Sequence, residues 1–378
     1  MKREAVIGGI GHTAFGRLPE RSAFDLEIEA CRRALADAGL APGDVDGLIT
    51  DPGPAQGIVD GITPHYLALG QYLGLNPDYV GSDILGGASS AAIIQRAVLA
   101  VEAGLCSVCL CVYGDSALSA PGSFNYGRGD DAVFGLFGAV GVHALAARRH
   151  MHRWGTRPEH LAAVAIAARA HAALTPHAQK RTPLTLADYH AAPAVVEPLK
   201  LPDCCLVSDG AAAVVVVSAD RTADLKQAPT RILGHGQASS LSTWSSPDHF
   251  EQLPAARCGP ATFARAGVTP ADIDLAMLYD CFTIVVLMQL EDYGFCGRGE
   301  SGPFVAEGRI GPGGCLPVNT SGGLLSEGYG GGMLHVIEAV RQLRGSAGDR
   351  QLNDPELALV SGHGLGMNTH ATLILARQ

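Results

Sequence analysis

The sequence lacks the features that would place it in a membrane or on a nucleic acid. No segment reaches the roughly 18 uninterrupted apolar residues that a membrane-spanning helix needs, and the first residues lack the apolar core of a signal peptide. Lys and Arg number 27 against 37 Asp and Glu, so the net charge is −10. Because nucleic acids bind basic surfaces, this balance argues against them. We therefore predict a cytoplasmic protein, in which local groups or a partner hold any anionic ligand.

The composition favours a globular chain with free thiols. Of the 378 residues, 47% are hydrophobic, which suits two packed units with a buried core. The ten cysteines are not expected to form disulfides, which are rare in the cytosol. Cys106, Cys109 and Cys111 have a spacing that suggests a metal site, but they lie in an apolar run that predicts a buried strand. We interpret them as buried thiols and predict no metal in this chain.

An internal repeat divides the chain. Residues 34–51 resemble residues 261–280, because each segment contains a helix end, a Gly stop, a Pro-containing turn and a strand in the same order. Further along each half, a turn of small residues leads into a helix and then a strand. These turns are at 86–90 and 322–332. Two copies of one α/β unit are therefore predicted.

The repeat also predicts the domain boundaries. Residues 1–225 form the N-terminal half and residues 226–378 the C-terminal half. The section at about 115–203 is less regular, with a polar loop, a long alanine-rich helix and a Pro-punctuated connection. We interpret it as an inserted loop domain that lies over the sheet domain.

Two tyrosines are candidates for function. Tyr329 stands among glycines just before an amphipathic helix, where backbone N–H groups converge and favour negative charge. A packing tyrosine seldom needs so open a backbone, so this pattern indicates a functional residue. Tyr279 ends a predicted strand. Taken alone, that position is more typical of a core tyrosine with a hydrogen-bonded tip.

The motifs resemble the thiolase superfamily, and in particular its sterol-carrier-protein-x or lipid-transfer branch. The matching stretches are TPHAQKRTPLT (175–185), DCCLVSDGAAAVVV (203–216), YDCFT (279–283), NTSGGLLSEGYGGG (319–332) and SGHGLGMNTHATLIL (361–375). The resemblance covers essentially the whole chain. It implies an α/β fold, a duplicated five-layered αβαβα sandwich, which is usually dimeric and has its active site at helix N-termini between the halves.

The departures from the thiolase pattern concern the catalytic groups. Thiolases carry a nucleophilic Cys at the start of the first-half helix, where residues 86–90 here read Gly-Gly-Ala-Ser-Ser. The C-terminal loop at 360–364 likewise has no Cys to act as acid or base. Tyr329 replaces the His of the thiolase G-H-P motif. Tyr279 replaces the Asn or His of the N-E-A-F or H-D-C-F motif.

A branch with such a tyrosine pair resembles this chain: the thiolase-fold aldolases of steroid side-chain degradation. The resemblance implies retro-aldol cleavage of a bulky β-hydroxyacyl-CoA to a ketone and a short acyl-CoA such as propanoyl-CoA. It implies that Tyr279 and Tyr329 are catalytic. His363 would bind the thioester oxygen or relay a proton, with a purely structural role left open. It also implies a homodimeric core in an α2β2 complex with a small OB-fold/zinc-ribbon accessory protein. Any zinc would belong to that partner, and this chain would need no cofactor.

The residues themselves fit this chemistry. Retro-aldol cleavage needs a base, an oxyanion site and an acid, whereas thiolysis needs a thiolate, and a serine in its place would need an adjacent base. Arg128 is the best loop candidate for the nucleotide of CoA. The predicted substrate-binding residues are Gly87, Ser89, Ser90, Asn319, Gly323 and Gly364. Two alternatives stay open: a thiolase-like acyltransferase with an unusual nucleophile such as Ser89, and a non-catalytic subunit that binds acyl-CoA or lipid.

Overall fold

The structure is a computed structural model that describes residues 4–53, 64–119, 133–136, 138–240 and 250–378. Among these residues, no helix combines the length and the apolar character that crossing a membrane requires. The polar loop that contains Arg128 lies outside the described residues.

The described parts of both halves contain helices and strands. The helices are α1 (Ala23–Ala38), α2 (His65–Leu73), α3 (Ser89–Glu102), α4 (Gly138–Trp154), α5 (Pro158–Ala173), α6 (Leu186–Ala191), α7 (Ala255–Ala266), α8 (Thr283–Asp292), α9 (Ser301–Ala306), α10 (Gly323–Ser326) and α11 (Met333–Leu343). The strands are β1 (Ala5–His12), β2 (Gly47–Asp51), β3 (Tyr79–Ser82), β4 (Val108–Ser116), β5 (Ala194–Val196), β6 (Leu199–Lys200), β7 (Asp209–Ser218), β8 (Thr230–Ser239), β9 (Leu275–Met277), β10 (Leu357–Gly364) and β11 (Thr369–Ala376).

The strands form two half-sheets of the same design. The first has the order β3-β2-β4-β7-β1, and the second has the order β9-β10-β11-β8. β2 and β4 are parallel, as are β9 and β10. The pairs β4–β7 and β7–β1 of the first half and β10–β11 and β11–β8 of the second half are antiparallel. In the second half, a parallel bridge between Ala276 and Val318 lies where the first half has the β2–β3 pair. A short pairing of β1 with β8 joins the two halves. The sequence repeat is therefore a structural duplication.

Two helices lie between the half-sheets. α3 packs on β2 and β4 of the first half and on β10 and β11 of the second, and α11 also contacts strands of both halves. Nearly every residue of α11 is buried, as are most residues of α3. The outer faces are covered by α1 and α2 on the first half and by α7 on the second. Five layers result, in the αβαβα order that the resemblance implied.

The repeated helix–turn–strand unit forms in the same way in both halves. α1 ends at Gly39 with φ 79°, and α7 ends at Gly267 with φ 71°. This left-handed backbone favours glycine at a helix C-terminus. Pro42 and Pro270 then begin equivalent 3₁₀ turns before β2 and β9. The Gly and Pro punctuation of the sequence repeat therefore has a conformational cause.

The inserted section consists, in its described residues, of α4, α5, α6 and the hairpin β5–β6. α5 packs against α8, α9 and α10, and α4 packs against α8. The insertion follows β4 of the first half but is attached to helices of the second. This attachment brings α4 close to the end of β9.

Three carboxylates are buried where α1 and α2 meet the first half-sheet. Glu27, Asp51 and Asp115 are at most 5% exposed. His65 lies 3.0 Å from Glu27, between Nε2 and Oε2. Burial raises the pKa of all three carboxyl groups, and it raises the pKa of Asp115 to about 7. One oxygen of Asp115 accepts the Ser116 N–H, and the other has no hydrogen-bond partner among the described residues.

Replacing this aspartate should flatten the pH dependence of stability. Because its folded pKa lies above the ordinary value, Asp115 contributes stability that is present below about pH 4 and is lost as the pH rises to about 7. At about 1.4 kcal/mol per unit of pKa, the effect reaches about 4 kcal/mol. We expect the free energy of unfolding to fall less between about pH 5 and pH 8 in Asp115→Asn than in the wild type, as urea titrations would measure. Asp349→Asn, at an exposed position, is the control for a lost charge. An equal dependence of the free energy of unfolding on pH in all three proteins would contradict the expectation.

Candidate active site

Two tyrosines meet at the centre of the molecule, between the central helices. Tyr279 follows β9, and Tyr329 lies in the loop between α10 and α11. The Tyr279 phenol donates a hydrogen bond to the phenol oxygen of Tyr329, with 3.2 Å between the oxygens. Tyr279 is 2% exposed and Tyr329 is 9% exposed. The structure thus brings together two residues that the sequence analysis had singled out separately.

The ring of Tyr279 fills the gap between the N-termini of α3 and α11. A Cβ built on Gly87 would lie 2.0 Å from Cζ of this ring and 2.1 Å from its oxygen. A Cβ on Gly332 would lie 3.3 Å from Cδ2. The backbone of Tyr279 is fixed by the Ser361 hydroxyl at 2.9 Å and by the Gln289 amide at 2.8 Å. The phenol therefore occupies the space that any side chain at position 87 would need.

The electrostatic surroundings of Tyr279 favour its neutral form. Burial raises the pKa of this phenol well above its ordinary value, and the neighbouring Tyr329 and Cys281 raise it further. The N-termini of α3 and α11 carry partial positive charge, which opposes this effect. Tyr279 is accordingly a proton donor at neutral pH, consistent with its hydrogen bond to Tyr329.

The loop around Tyr329 is held by buried contacts. Its backbone N–H donates to the Ser208 hydroxyl at 3.1 Å, and the Ser90 hydroxyl donates to the Gly331 carbonyl at 2.8 Å. Gly331 has φ +59°, and a Cβ there would lie 2.5 Å from the ring of Tyr113. Tyr113 also contacts Tyr329 edge-on, with ring centroids 6.4 Å apart. Left-handed backbone and close packing together explain why the loop is rich in glycine.

Asp280 connects the segments that carry the two tyrosines. Its carboxylate accepts the N–H groups of Leu324 at 2.8 Å and Leu325 at 3.3 Å, at the start of α10. It also lies 3.1 Å from Nε2 of His335. The His335 ring in turn stacks on Tyr279, with centroids 6.2 Å apart and planes 25° apart. Displacing Asp280 would therefore disturb the positions of both Tyr279 and Tyr329.

The two predicted serines are bonded within the turns. Ser89 accepts the Leu85 N–H and donates to the Gly86 carbonyl, each at 2.8 Å. Ser90 donates to Gly331, as described above. Both serines are at most 1% exposed. Their hydroxyl groups fix the shape of the turn before α3, and substrate binding by them stays a prediction.

The other predicted binding residues also shape the backbone. Asn319 has φ 55°, and its side chain bonds both backbone groups of Leu278 at 2.8 Å. A Cβ on Gly323 would lie 2.2 Å from the carboxylate of Asp280. A Cβ on Gly364 would lie 1.9 Å from a backbone oxygen of the turn before α3. These positions require small side chains or special backbone angles, and their contact with substrate stays a prediction.

His363, the third predicted catalytic residue, belongs to a cluster beside Tyr279. The His363 and Tyr279 ring centroids are 6.5 Å apart. Nε2 of His363 is 3.3 Å from Nε2 of His143 in α4, and Sγ of Cys281 is 3.9 Å from Nε2 of His143. Nδ1 of His143 is 2.7 Å from the Ala139 carbonyl oxygen. In the part of the chain that the structure describes, this is the one group of His, Cys and acidic residues placed to hold a metal ion.

No catalytic or binding role was predicted from the sequence for three of these polar residues. Asp280 and Cys281 belong to the Tyr-Asp-Cys-Phe-Thr motif, so their position next to Tyr279 was a usable signal. His143 is a single histidine in an irregular section of the chain, and no motif marks it. Only the packing of α4 against α8 reveals its place.

Comparisons with known proteins identify the family of the chain. Residues 236–377 match the thiolase C-terminal domain-like family. The steroid side-chain-cleaving aldolase of Thermomonospora curvata is 35% identical, over 96% of this chain and 95% of that protein. The 17-hydroxy-3-oxo-4-pregnene-20-carboxyl-CoA lyase of Mycobacterium tuberculosis is 38% identical, over 91% of this chain and 92% of that protein.

A solved structure extends the agreement to three dimensions. The Ltp2-ChsH2(DUF35) aldolase superimposes with a TM-score of 0.90 and is 36% identical, over 99% of this chain and 98% of that chain. The fold and the central site define a thiolase-like protein without a cysteine at the nucleophile turn. The chain belongs to the thiolase superfamily, in the group that contains the steroid side-chain-cleaving aldolases. The family and the fold predicted from the sequence are confirmed.

Proposed function

We propose that this protein is an acyl-CoA aldolase, a carbon–carbon lyase that cleaves a bulky, steroid-derived β-hydroxyacyl-CoA by a retro-aldol reaction. Its products are a ketone and a short acyl-CoA such as propanoyl-CoA. One observation carries the proposal: the hydrogen-bonded tyrosines 279 and 329 lie at the ends of the central helices, and the ring of Tyr279 excludes any side chain at position 87. The names of the two relatives, an aldolase and a lyase for a steroid carboxyl-CoA, support the same reaction class.

The tyrosine pair can perform the proton transfers of this reaction. Tyr329 is the more exposed of the two and accepts the hydrogen bond from Tyr279, which stabilises its phenolate. As the phenolate, Tyr329 takes the proton of the β-hydroxyl group and becomes a neutral phenol. The bond between the α and β carbons then breaks. The β-carbon becomes the ketone, and the electron pair passes to the thioester as an enolate.

The second half of the reaction returns the proton. The pair protonates the enolate at its α-carbon, which gives the acyl-CoA. One proton leaves an oxygen and one enters a carbon, so the site returns to its starting state without an oxidant or a carrier. Donors that hold the enolate oxygen would stabilise the transition state. His363 and the N–H groups at the start of α3 lie beside the pair and are the candidates.

The bonding of Ser89 argues against acyl transfer. A serine nucleophile needs a base that takes its proton. The Ser89 hydroxyl donates to the Gly86 carbonyl, which cannot take a proton at neutral pH, and the residue is fully buried. Another neighbour is the Asp51 carboxyl group, whose pKa burial raises well above its ordinary value, so its neutral form, which is not a base, is favoured. Ser89 therefore fits a structural role in the turn better than an acyl-enzyme.

We propose further that the protein acts with a small OB-fold/zinc-ribbon accessory protein. The aldolase of similar structure is an Ltp2-ChsH2(DUF35) assembly of two components. The net charge of −10 also favours a partner that supplies cationic groups for the CoA phosphates. A homodimeric core in a cytoplasmic α2β2 complex is the arrangement we propose. The zinc of the zinc ribbon belongs to the partner.

The reaction can be tested by the fate of a solvent proton. The complex is incubated in D₂O with a 17-hydroxy steroid carboxyl-CoA, and products are identified by mass spectrometry. We expect a ketone together with propanoyl-CoA that carries one deuterium at its α-carbon, at a rate independent of added CoA. A requirement for free CoA would indicate thiolysis instead. Tight binding of the thioester without turnover would indicate a non-catalytic subunit, and either result would overturn the proposal.

A further inference from the structure

We infer that His143, Cys281 and His363 form a metal site beside the tyrosine pair, and that its chemistry suits Zn²⁺. The three donor atoms are the two Nε2 atoms and Sγ, and they all lie within 4.8 Å of one another. His143 and His363 are buried, and Cys281 is partly buried. The site revises the prediction that this chain binds no metal. It is unrelated to the Cys-x-x-Cys-x-Cys run that leads into β4.

The spacing of the donors suits tetrahedral zinc. With Zn–N bonds of about 2.0–2.1 Å, two tetrahedral nitrogen ligands lie about 3.4 Å apart, and a nitrogen and a sulfur ligand lie about 3.6 Å apart. The Nε2 atoms of His143 and His363 are 3.3 Å apart, and Sγ of Cys281 is 3.9 Å from Nε2 of His143. These two separations are within a few tenths of an ångström of the bound values, and the third, between Sγ of Cys281 and Nε2 of His363, is at most 4.8 Å.

The His143 ring is oriented as metal ligands usually are. Its Nδ1 atom lies 2.7 Å from the Ala139 carbonyl oxygen, which can only accept, so Nδ1 carries the proton. The lone pair is left on Nε2, the atom that faces His363 and Cys281. Metal-bound histidines commonly donate their other N–H to a backbone carbonyl in this way. Phe282 stacks on the ring at 4.3 Å between centroids and keeps it in place.

The other two groups converge on one atom of His143. Nε2 of a neutral imidazole has one lone pair and accepts one proton. Both Nε2 of His363 and Sγ of Cys281 approach that one atom of His143. A cation placed among the three would be bound by a lone pair from each of them, with the thiol as thiolate.

The donor set also selects the ion and its role. Two imidazoles and a thiolate suit zinc and other borderline or soft ions rather than Mg²⁺ or Ca²⁺, which prefer oxygen. Three protein ligands leave a fourth position open, as in catalytic zinc sites. Cys281 is two residues from Tyr279, so the ion would adjoin the tyrosine pair and polarise the thioester oxygen that becomes the enolate. This role rests on the proposed aldolase reaction, whereas the binding of metal does not.

Metal content and cobalt spectroscopy test the site directly. The full-length chain is purified without its partner, because the partner carries zinc of its own. We expect about one zinc per chain in elemental analysis, and a loss of at least tenfold in Cys281→Ser and in His143→Ala. The matched controls are Cys315→Ser and His190→Ala, which change an exposed cysteine and an exposed histidine. After replacement by Co²⁺, the wild type should show the thiolate-to-cobalt absorption in the near ultraviolet, and Cys281→Ser should lack it.

Thermal melting separates loss of metal from loss of fold. Cys281→Ser should unfold as cooperatively as the wild type after chelation. A wild-type chain that retains no zinc and shows no cobalt–thiolate absorption would overturn the site, as would equal losses in the control variants. Ketone formation by a metal-free complex would leave the aldolase proposal intact and remove the Lewis-acid role. Metal binding without any ketone formation would leave the metal site intact and would remove the aldolase proposal together with the Lewis-acid role.

Discussion

We expect Tyr329→Phe to lower the turnover of the β-hydroxyacyl-CoA by roughly 10²–10⁴-fold, the range for loss of a general acid–base group. The substitution removes one oxygen and leaves the ring against Tyr113. The protein should therefore keep its fold and its melting temperature to within a few degrees. Because the lost interaction belongs to the proton transfer, kcat should fall while KM changes little. Initial rates of ketone formation by the complex measure both quantities.

Tyr279→Phe should also reduce turnover strongly, because Tyr329 loses the donor that bonds its oxygen. The double variant should be no slower than the slower single variant, since the two phenols act as one unit. Tyr189→Phe is the matched control. Tyr189 is fully buried and donates to Asp203 at 2.8 Å, so its loss should cost stability without lowering kcat. Wild-type turnover in Tyr329→Phe, or additive losses in the double variant, would contradict the role of the pair.

Local rules made the duplicated fold predictable. The Gly stops at 39 and 267 and the Pro turns at 42 and 270 act within a few residues, so their effect can be read from the sequence. The buried strands and the central helices follow from apolar runs and periodicity in the same way. The two half-sheets repeat each other because the same local signals occur twice.

The site depends instead on contacts between distant segments. Ser90 bonds Gly331, and His143 meets His363, across more than half of the chain. Sequence analysis identified Tyr279 as a candidate, but its contact with Gly87 appears only when the two halves are packed. His143 was missed because an isolated histidine carries no pattern. Apart from His143, what could not be predicted from the sequence was therefore which residues each candidate contacts.

Gly87→Ala should abolish most of the activity, because the added methyl group and the Tyr279 phenol cannot occupy the same space. The new Cβ would lie 2.0 Å from Cζ of Tyr279 and 2.5 Å from the backbone oxygen of His363. Overpacking of this kind typically costs about 1–3 kcal/mol of stability. Here it would also move the phenol away from Tyr329, so we expect a fall in turnover of roughly 10²-fold or more. Gly87→Cys should fail in the same way and should not confer thiolase activity.

Removing the ring tests whether the clash is the cause. In a double-mutant cycle, Gly87→Ala should cost less stability in a Tyr279→Ala background than in the wild type, with a coupling energy of about 1 kcal/mol or more. The contact with the His363 backbone oxygen is common to both backgrounds. Gly43→Ala is the control, because a Cβ there meets nothing within 4 Å. If Gly87→Ala turned over substrate normally, position 87 would have room for a side chain. The chain could then accept a nucleophile at that position, and the tyrosine pair would no longer explain why it has none.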